Sequence, residues 1–101
     1  MKQEFIFKYK INSQSFGVVE KQISENEYIF SGRLEIDYLN EQYKLNLPVS
    51  EEYETLAGLI IYHHQSIPAQ SETIHVNYLR FQILSMSDTR IEQVSLRTEI
   101  E

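Results

Sequence analysis

The sequence contains no cysteine and no tryptophan, and its 101 residues include two prolines and three glycines. The absence of cysteine excludes a disulfide framework and fits a cytosolic environment, where thiols stay reduced. The scarcity of proline and glycine excludes a collagen-like or low-complexity chain. The sequence also has no run of 18 apolar residues and no signal-peptide pattern. We therefore expect a soluble fragment that does not insert directly into a membrane.

The charge balance is acidic, with 15 aspartates and glutamates against nine lysines and arginines, a net charge of −6. A nucleic-acid-binding domain needs a basic face, so we expect no nucleic-acid partner. The length allows one domain at most, and the 42% of apolar residues is enough for a small core.

The two prolines, Pro48 and Pro68, bracket the strongest helix pattern in the chain. Ser50 is a suitable N-cap because its hydroxyl can accept a hydrogen bond from the first turn. Three glutamates follow where negative charge favours a helix start, at positions 51, 52 and 54. The residue before a proline avoids helical dihedrals, so the helix should end by Ile67.

The middle of this predicted helix, from Leu56 to Tyr62, has no polar residue. A helix that is apolar on more than one face must be covered on more than one side. Gly58 costs about 1 kcal/mol relative to alanine within a helix. We therefore expect close packing against Gly58, by a strand or by a second chain.

The rest of the chain alternates strand and helix patterns that together predict an α+β fold, an antiparallel sheet covered by two main helices. Gly32 is expected to end the second strand because the exit needs conformational freedom. A break in alternation predicts a bulge near Glu92. Residues 1–18 are predicted to be a linker or an N-terminal extension, of which 1–16 should be flexible or loosely packed, with an added edge strand as the alternative. The predicted strands are 18–23, 28–32, 73–76, 79–83 and 90–97, and the first helix is 34–43.

Several segments resemble the transporter-associated domain, also called the CorC/HlyC domain. The most specific is Tyr53 to Ile60, Tyr-Glu-Thr-Leu-Ala-Gly-Leu-Ile, which follows Leu47-Pro48. The strand matches are 28–33, 79–83 and 90–94, and the resemblance covers residues 19–98, which leaves 99–101 as a frayed tail. Two positions depart from the family pattern, because Gln65 and Ser71 stand where the family has glycine. The residues that match the family motif are Gly32, Leu47, Pro48, Tyr53, Thr55, Leu56, Ala57, Gly58, Pro68, Arg80 and Phe81.

The resemblance implies a role outside catalysis. In this family the domain is the C-terminal cytosolic module of bacterial membrane proteins described as magnesium and cobalt efflux proteins or hemolysins. It follows a transmembrane domain and a pair of CBS domains, at the cytoplasmic face of the inner membrane. The implied function is regulation or assembly through a homodimer. The family fold is also grouped with a subdomain of FAD-binding enzymes, so an FAD- or nucleotide-binding module is one alternative, and a structural dimerisation cap is another.

The residues that could carry chemistry give no catalytic or metal-binding pattern. His63 and His64 are adjacent, so on a helix they point about 100° apart and cannot share one ion easily, and His75 belongs to a separate strand. The glutamates near Ser50 allow at most a weak contact with Mg²⁺ or Ca²⁺. No spacing is typical of a nucleophile beside a base, and no glycine-rich phosphate loop is present. Arg80 should point away from the core, either solvated or as an anchor for an acidic partner or an anionic ligand.

Overall fold

A computed structural model describes residues 18–99. Residues 1–17 and 100–101, where a linker and part of a frayed tail are predicted, lie outside the described residues. The predicted order of two strands, two helices and three strands is confirmed. The elements are β1 (Glu20–Ser24), β2 (Glu27–Ser31), α1 (Ile36–Tyr43), α2 (Leu56–His64), β3 (Thr73–Val76), β4 (Leu79–Ser87) and β5 (Arg90–Thr98).

The five strands form one antiparallel sheet in the order β1-β2-β5-β4-β3. Tight turns join β1 to β2, β3 to β4 and β4 to β5. The last two turns contain Asn77 and Asp88 at φ 55° and 58°, a left-handed conformation that short polar side chains tolerate better than most. The strand β5 lies in the centre, between β2 and β4.

The helices cover one face of the sheet. Along β4, Leu79, Phe81 and Ile83 are buried while Gln82 and Leu84 are exposed, as the two-residue period of a strand requires. Ile36 and Leu39 of α1, with Leu56, Leu59 and Ile60 of α2, pack on the buried face. The opposite face of the sheet carries residues such as His75, Arg80 and Arg97.

The bulge predicted near Glu92 is confirmed. The partners of β4 and β5 run in register to Ile83 and Val94, and the register shifts on both sides of the pair Ser85 and Gln93. Leu84 is the extra residue on β4 and Glu92 the extra residue on β5. The Glu92 carbonyl accepts the amide of Gly32 at 3.0 Å, so the bulge also fixes the end of β2.

The predicted start of α2 is wrong. The N-cap is Thr55, whose hydroxyl accepts from the Gly58 amide at 3.1 Å, and the helix begins at Leu56. Ser50 belongs instead to a turn, where its hydroxyl accepts from the Glu52 amide at 3.0 Å. Tyr53 is buried, and its hydroxyl donates to the Pro48 carbonyl, so the segment before Thr55 packs as a turn and not as a helix.

Two further expectations about the helices are corrected. The cover expected on more than one side of α2 is partial, since Tyr53 packs on Gly58 whereas Tyr62 is 49% exposed. The helix α1 begins at Ile36 rather than Leu34, because Leu34 and Glu35 are held in extended pairing with the segment before α2. Glu99, predicted to fray, donates its amide to the Tyr78 carbonyl at 2.6 Å.

Candidate functional site

The start of α2 meets the end of β2 in a close junction. The amide of Ala57 donates to the Gly32 carbonyl at 2.8 Å, and the amide of Leu56 donates to the Leu34 carbonyl at 2.9 Å. The Thr55 hydroxyl satisfies the Gly58 amide. These bonds use up amides that a helix start leaves without an intrahelical partner, so the family-motif residues position α2 on the sheet.

Both glycines of this junction are required by lack of space. A Cβ on Gly32 would collide with the Ile91 carbonyl oxygen and lie 3.1 Å from the Ala57 Cβ. A Cβ on Gly58 would lie 2.9 Å from the Tyr53 Cβ and 3.4 Å from the Thr55 hydroxyl oxygen. The expected close packing at Gly58 is therefore present, but Tyr53 provides it rather than a strand or a second chain. The conformational freedom predicted for Gly32 is not the reason for that glycine.

The approach to α2 is fixed by Asn40 of α1 together with side chains of the same motif. The Asn40 side chain in α1 accepts from the Leu47 amide at 2.7 Å and donates to the Leu47 carbonyl at 3.0 Å. The Tyr53 hydroxyl donates to the Pro48 carbonyl at 2.8 Å. Leu47, Tyr53 and Leu56 are buried. Eight of the eleven motif residues thus form one packed unit.

The other three motif residues lie elsewhere. Phe81 is fully buried in the core, and Pro68 is buried in the loop after α2. Arg80 lies on the opposite face of the sheet, as predicted, and its Nε lies 3.3 Å from the Glu99 carboxylate. An anchoring role for Arg80 stays a prediction, because this pair already neutralises part of its charge.

A groove of about 600 Å³ lies beside this unit, between the start of α1 and the segment before α2. We call it the acidic groove. Its carboxylates come from two places in the chain, which is why sequence spacing did not group them. Ile36 and Tyr53 supply buried apolar surface, and Val49 is 65% exposed. The residues that line it are Glu35, Ile36, Asp37, Val49, Ser50, Glu51, Tyr53 and Glu54.

The two adjacent histidines have different surroundings. The ring of His63 lies 5.3 Å from the Tyr62 ring and 6.2 Å from the Tyr53 ring. His64 Nε2 lies 2.7 Å from the Glu72 carboxylate, and its Nδ1 lies 2.8 Å from the Ser66 hydroxyl. The bond to Glu72 raises the pKa of His64, and the Ala69 amide, followed by His64, lowers the pKa of Glu72.

The contact between Ser66 and His64 was missed, since we expected no serine beside a base. Ser66 follows His64 by two residues where α2 ends, and this spacing could have indicated the contact. A basic nitrogen could withdraw the Ser66 proton only if it were unprotonated. Nδ1 also lies 3.2 Å from the Ser66 carbonyl, so the hydroxyl is not its one neighbour, and both Ser66 and the end of α2 are open to solvent. The arrangement ties the loop to the end of α2.

A third polar cluster joins β1 to α1. The buried carboxylate of Glu20 accepts hydrogen bonds from Tyr38 and Tyr43, each at 2.7 Å. Burial, followed by the bond to Glu20, raises the pKa of Tyr38 to about 12 and raises that of Tyr43. The cluster was not predicted. Glu20 lies on β1 opposite the buried Phe30, and an acid at such a position could have indicated a buried polar contact.

Metal and cofactor binding depend on which side chains the fold brings together. Across residues 18–99, no group of three or more histidine, aspartate and glutamate side chains has the arrangement of a metal site. A second concavity, of about 510 Å³, lies where three turns meet, and its lining includes Tyr28, Tyr43, Lys44, Asn46 and Asn77. Aromatic rings and amides can bind a planar ligand, so this concavity is where FAD binding would be tested. No helix in the described part of the chain is long and apolar enough to cross a bilayer.

Comparison with known sequences matches residues 21–99 to the sequence model of the transporter associated domain, CorC_HlyC. No curated protein matches the chain.

Solved structures share the fold. A hemolysin domain from Enterococcus faecalis V583 is 28% identical, with a TM-score of 0.69, over 80% of this chain and 98% of that one. A domain from a CBS domain protein of Porphyromonas gingivalis is 24% identical, with a TM-score of 0.70, over 80% and 98%. A region described as associated with the Mg²⁺ and Co²⁺ transporter CorC, from Neisseria meningitidis MC58, is 20% identical, with a TM-score of 0.70, over 78% and 96%. The last two, below 25% identity, are evidence for the fold alone.

Proposed function

Because the chain belongs to the CorC_HlyC family of transporter-associated domains, we propose that it is a non-catalytic regulatory or assembly module of a bacterial membrane protein. The parent is of the divalent-cation efflux or hemolysin-like kind, with Mg²⁺ and Co²⁺ as the expected ions. The observation that carries the proposal is the family match over residues 21–99.

The geometry of the motif supports a role without catalysis. Its most specific residues are occupied in packing and capping, since Thr55 caps a helix and Gly32 and Gly58 provide space. Side chains that are committed to such contacts are not available to bind and transform a substrate.

The partners follow from the family. They are the transmembrane and CBS domains of the parent protein and a second copy of this domain, at the cytoplasmic face of the inner membrane. The exposed ring of Tyr62 and the exposed side chain of Val49 are apolar surface that such contacts can bury. The acidic charge argues against nucleic acid.

Sedimentation and thermal unfolding of the 101-residue chain, with and without ligands, test this function. We expect a reversible dimer whose unfolding temperature does not change with FAD. A rise with Mg²⁺ alone would identify ion sensing as the form of regulation, whereas a dimer without any ligand response would reduce the role to assembly. A yellow protein, or one monomeric and stabilised by stoichiometric FAD, would contradict the proposal.

A further inference from the structure

The concavity of about 510 Å³ where three turns meet has the volume of a small-molecule site. We call it the tyrosine concavity. It is bordered by residues 25 and 26 between β1 and β2, by residues 44–46 after α1, and by residues 77–79 at the turn between β3 and β4. These segments are far apart in sequence, so the fold alone brings their side chains together.

Tyr28 lines this concavity and differs from the other buried or half-buried tyrosines. Tyr38, Tyr43 and Tyr53 each donate their hydroxyl to an acceptor within the fold. Tyr28 is 4% exposed, yet its hydroxyl makes no hydrogen bond within residues 18–99. A buried tyrosine hydroxyl ordinarily has a partner, so this one is a donor for which the described fold supplies no acceptor.

The position of the Tyr28 hydroxyl follows from the burial of the side chain. In the described residues, every fully buried side-chain nitrogen or oxygen has a hydrogen-bond partner, so the unpaired Tyr28 hydroxyl must reach solvent. The concavity that Tyr28 lines is the opening through which it does so. Burial raises the pKa of Tyr28, which keeps the hydroxyl protonated and able to donate.

Three residues at the rim of the concavity have left-handed backbone conformations. Lys44, Asn46 and Asn77 lie at φ of 56°, 62° and 55°. Glycine adopts such angles most easily, yet each position carries a polar side chain that lines the concavity. The side-chain amides of Asn46 and Asn77 form no hydrogen bond within the described residues. An amide both donates and accepts, so these two groups can pair with a ligand that does the same.

The charges and the apolar surface of the lining narrow the class of ligand. The lining contains one lysine and one glutamate, Lys44 and Glu25, whose charges cancel. This balance favours an uncharged ligand over FAD, whose two phosphates are negative. The rings of Tyr43 and of Tyr78, which is 65% exposed, offer faces on which another aromatic ring can pack.

From these observations we propose that the tyrosine concavity binds a small, uncharged aromatic amide. Its ring packs against the tyrosines of the lining, and its carbonyl oxygen accepts the hydrogen bond of the Tyr28 hydroxyl. The side chains of Asn46 and Asn77 pair with the amide group. This binding site goes beyond the proposed function and does not depend on it.

Titration of the 101-residue chain with benzamide, the simplest aromatic amide, tests the proposal by amide NMR. We expect saturable shifts at residues 44–46 and 77–79. Tyr28→Phe removes only the hydroxyl and should weaken benzamide binding roughly three- to ten-fold, the effect of one hydrogen bond. The matched control is Tyr62→Phe, a tyrosine exposed on α2 outside the concavity, which should leave the affinity unchanged. The urea midpoint of Tyr28→Phe should equal that of the wild type.

The absence of saturable shifts would overturn the proposal, and so would an affinity that Tyr28→Phe leaves unchanged. A lower urea midpoint for Tyr28→Phe would show that the hydroxyl stabilises the fold, which also contradicts its role as an unpaired donor. Benzoate, with the same ring and a carboxylate, tests the charge of the ligand. It should bind no more tightly than benzamide, and binding ten-fold tighter or more would identify an anion site and overturn the assigned class.

Discussion

The backbone at the start of α2 and the backbone after its end are held in place by different means. At its start the family motif is complete, and Gly32 and Gly58 provide space that no side chain could occupy. After its end, Gln65 at the C-cap and Ser71 in the following loop stand where the resemblance implies glycine, and both adopt the left-handed conformation, with φ of 70° and 75°. The fold thus keeps its geometry at both ends, although only one end keeps its glycines.

The difference shows that glycine serves two purposes here. Where a Cβ would meet backbone atoms, as at Gly32, no rearrangement of side chains can make room. Where only a left-handed φ is needed, another residue can adopt it at a cost of roughly 1–2 kcal/mol. The bonds of His64 to Glu72 and Ser66, with the bond from the Gln65 amide to the Ile61 carbonyl at 2.7 Å, help to hold the end that bears this cost.

The largest effect is expected from Gly32→Ala, which breaks the start of α2. The new methyl would meet the Ile91 carbonyl, so either β5 or the junction must move. Overpacking typically costs about 1–3 kcal/mol and sometimes more, and we expect the upper end or beyond. Urea unfolding measures the loss, with Glu41→Ala as an exposed control that should change little. A variant as stable as the parent would show that the junction yields easily.

Gly58→Ala should have a smaller effect of the same sign. Helix propensity alone would favour alanine by about 1 kcal/mol. The methyl would lie 2.9 Å from the Tyr53 Cβ, an atom too close to the backbone to move freely, and the clash should outweigh the gain by about 1 kcal/mol. A lower urea midpoint at unchanged slope is expected. A higher midpoint would mean that Tyr53 moves aside without loss.

Thr55→Ala removes the cap of α2 and should cost about 1 kcal/mol. Thr55→Ser keeps the hydroxyl and should lose less. The matched control is Ser50→Ala, because sequence reasoning chose Ser50 as the cap while the structure places it in an exposed turn. If thermal unfolding shows Ser50→Ala to be the more damaging change, the helix begins where the sequence predicted and not at Leu56.

The bond between His64 and Glu72 should give the smallest effect, since both side chains reach solvent. The raised pKa of His64 means that its contribution is complete below the unfolded value, 6.5, and is lost as the pH rises through the folded value. The lowered pKa of Glu72 means that its contribution is complete above 4.5 and is lost as the pH falls through the folded value.

Glu72→Gln should therefore reduce the unfolding temperature most between about pH 4.5 and 6.5 and less at pH 8. Glu52→Gln, an exposed change without a histidine partner, is the control and should show no such profile. A difference between the wild type and Glu72→Gln that stays constant from pH 5 to pH 8 would contradict the assigned pKa shifts.

Much of the fold was predictable because local patterns and the core agree. Alternation along Leu79 to Ile83 identified β4, and broken alternation at Glu92 identified the bulge. The start of α2 was not predictable from local signals, because Ser50 and the glutamates after it form a good helix start in isolation. In the structure Tyr53 is buried and Thr55 is the cap, an outcome that depends on tertiary packing and not on local signals.

The candidate site was predictable only in part. The family motif identified the residues of the junction, but the resemblance did not say that Tyr53 packs on Gly58. The acidic groove joins Glu35 and Asp37 to Glu51 and Glu54, which are far apart in sequence and meet only because extended pairing brings Glu35 beside Thr55. Such a site depends on the path of the chain and not on spacing.

The most direct test of the two roles of glycine is to place glycine at the two left-handed positions after α2, where the resemblance implies it. The variant is Gln65→Gly combined with Ser71→Gly, measured by urea unfolding. Relief of two left-handed side chains, less the greater freedom of glycine in the unfolded chain, should stabilise the protein by about 1 kcal/mol in total. The account predicts a higher midpoint at unchanged slope, opposite in sign to Gly58→Ala. A lower midpoint would contradict it, because glycine would then be no better than glutamine or serine at positions where φ alone is at issue.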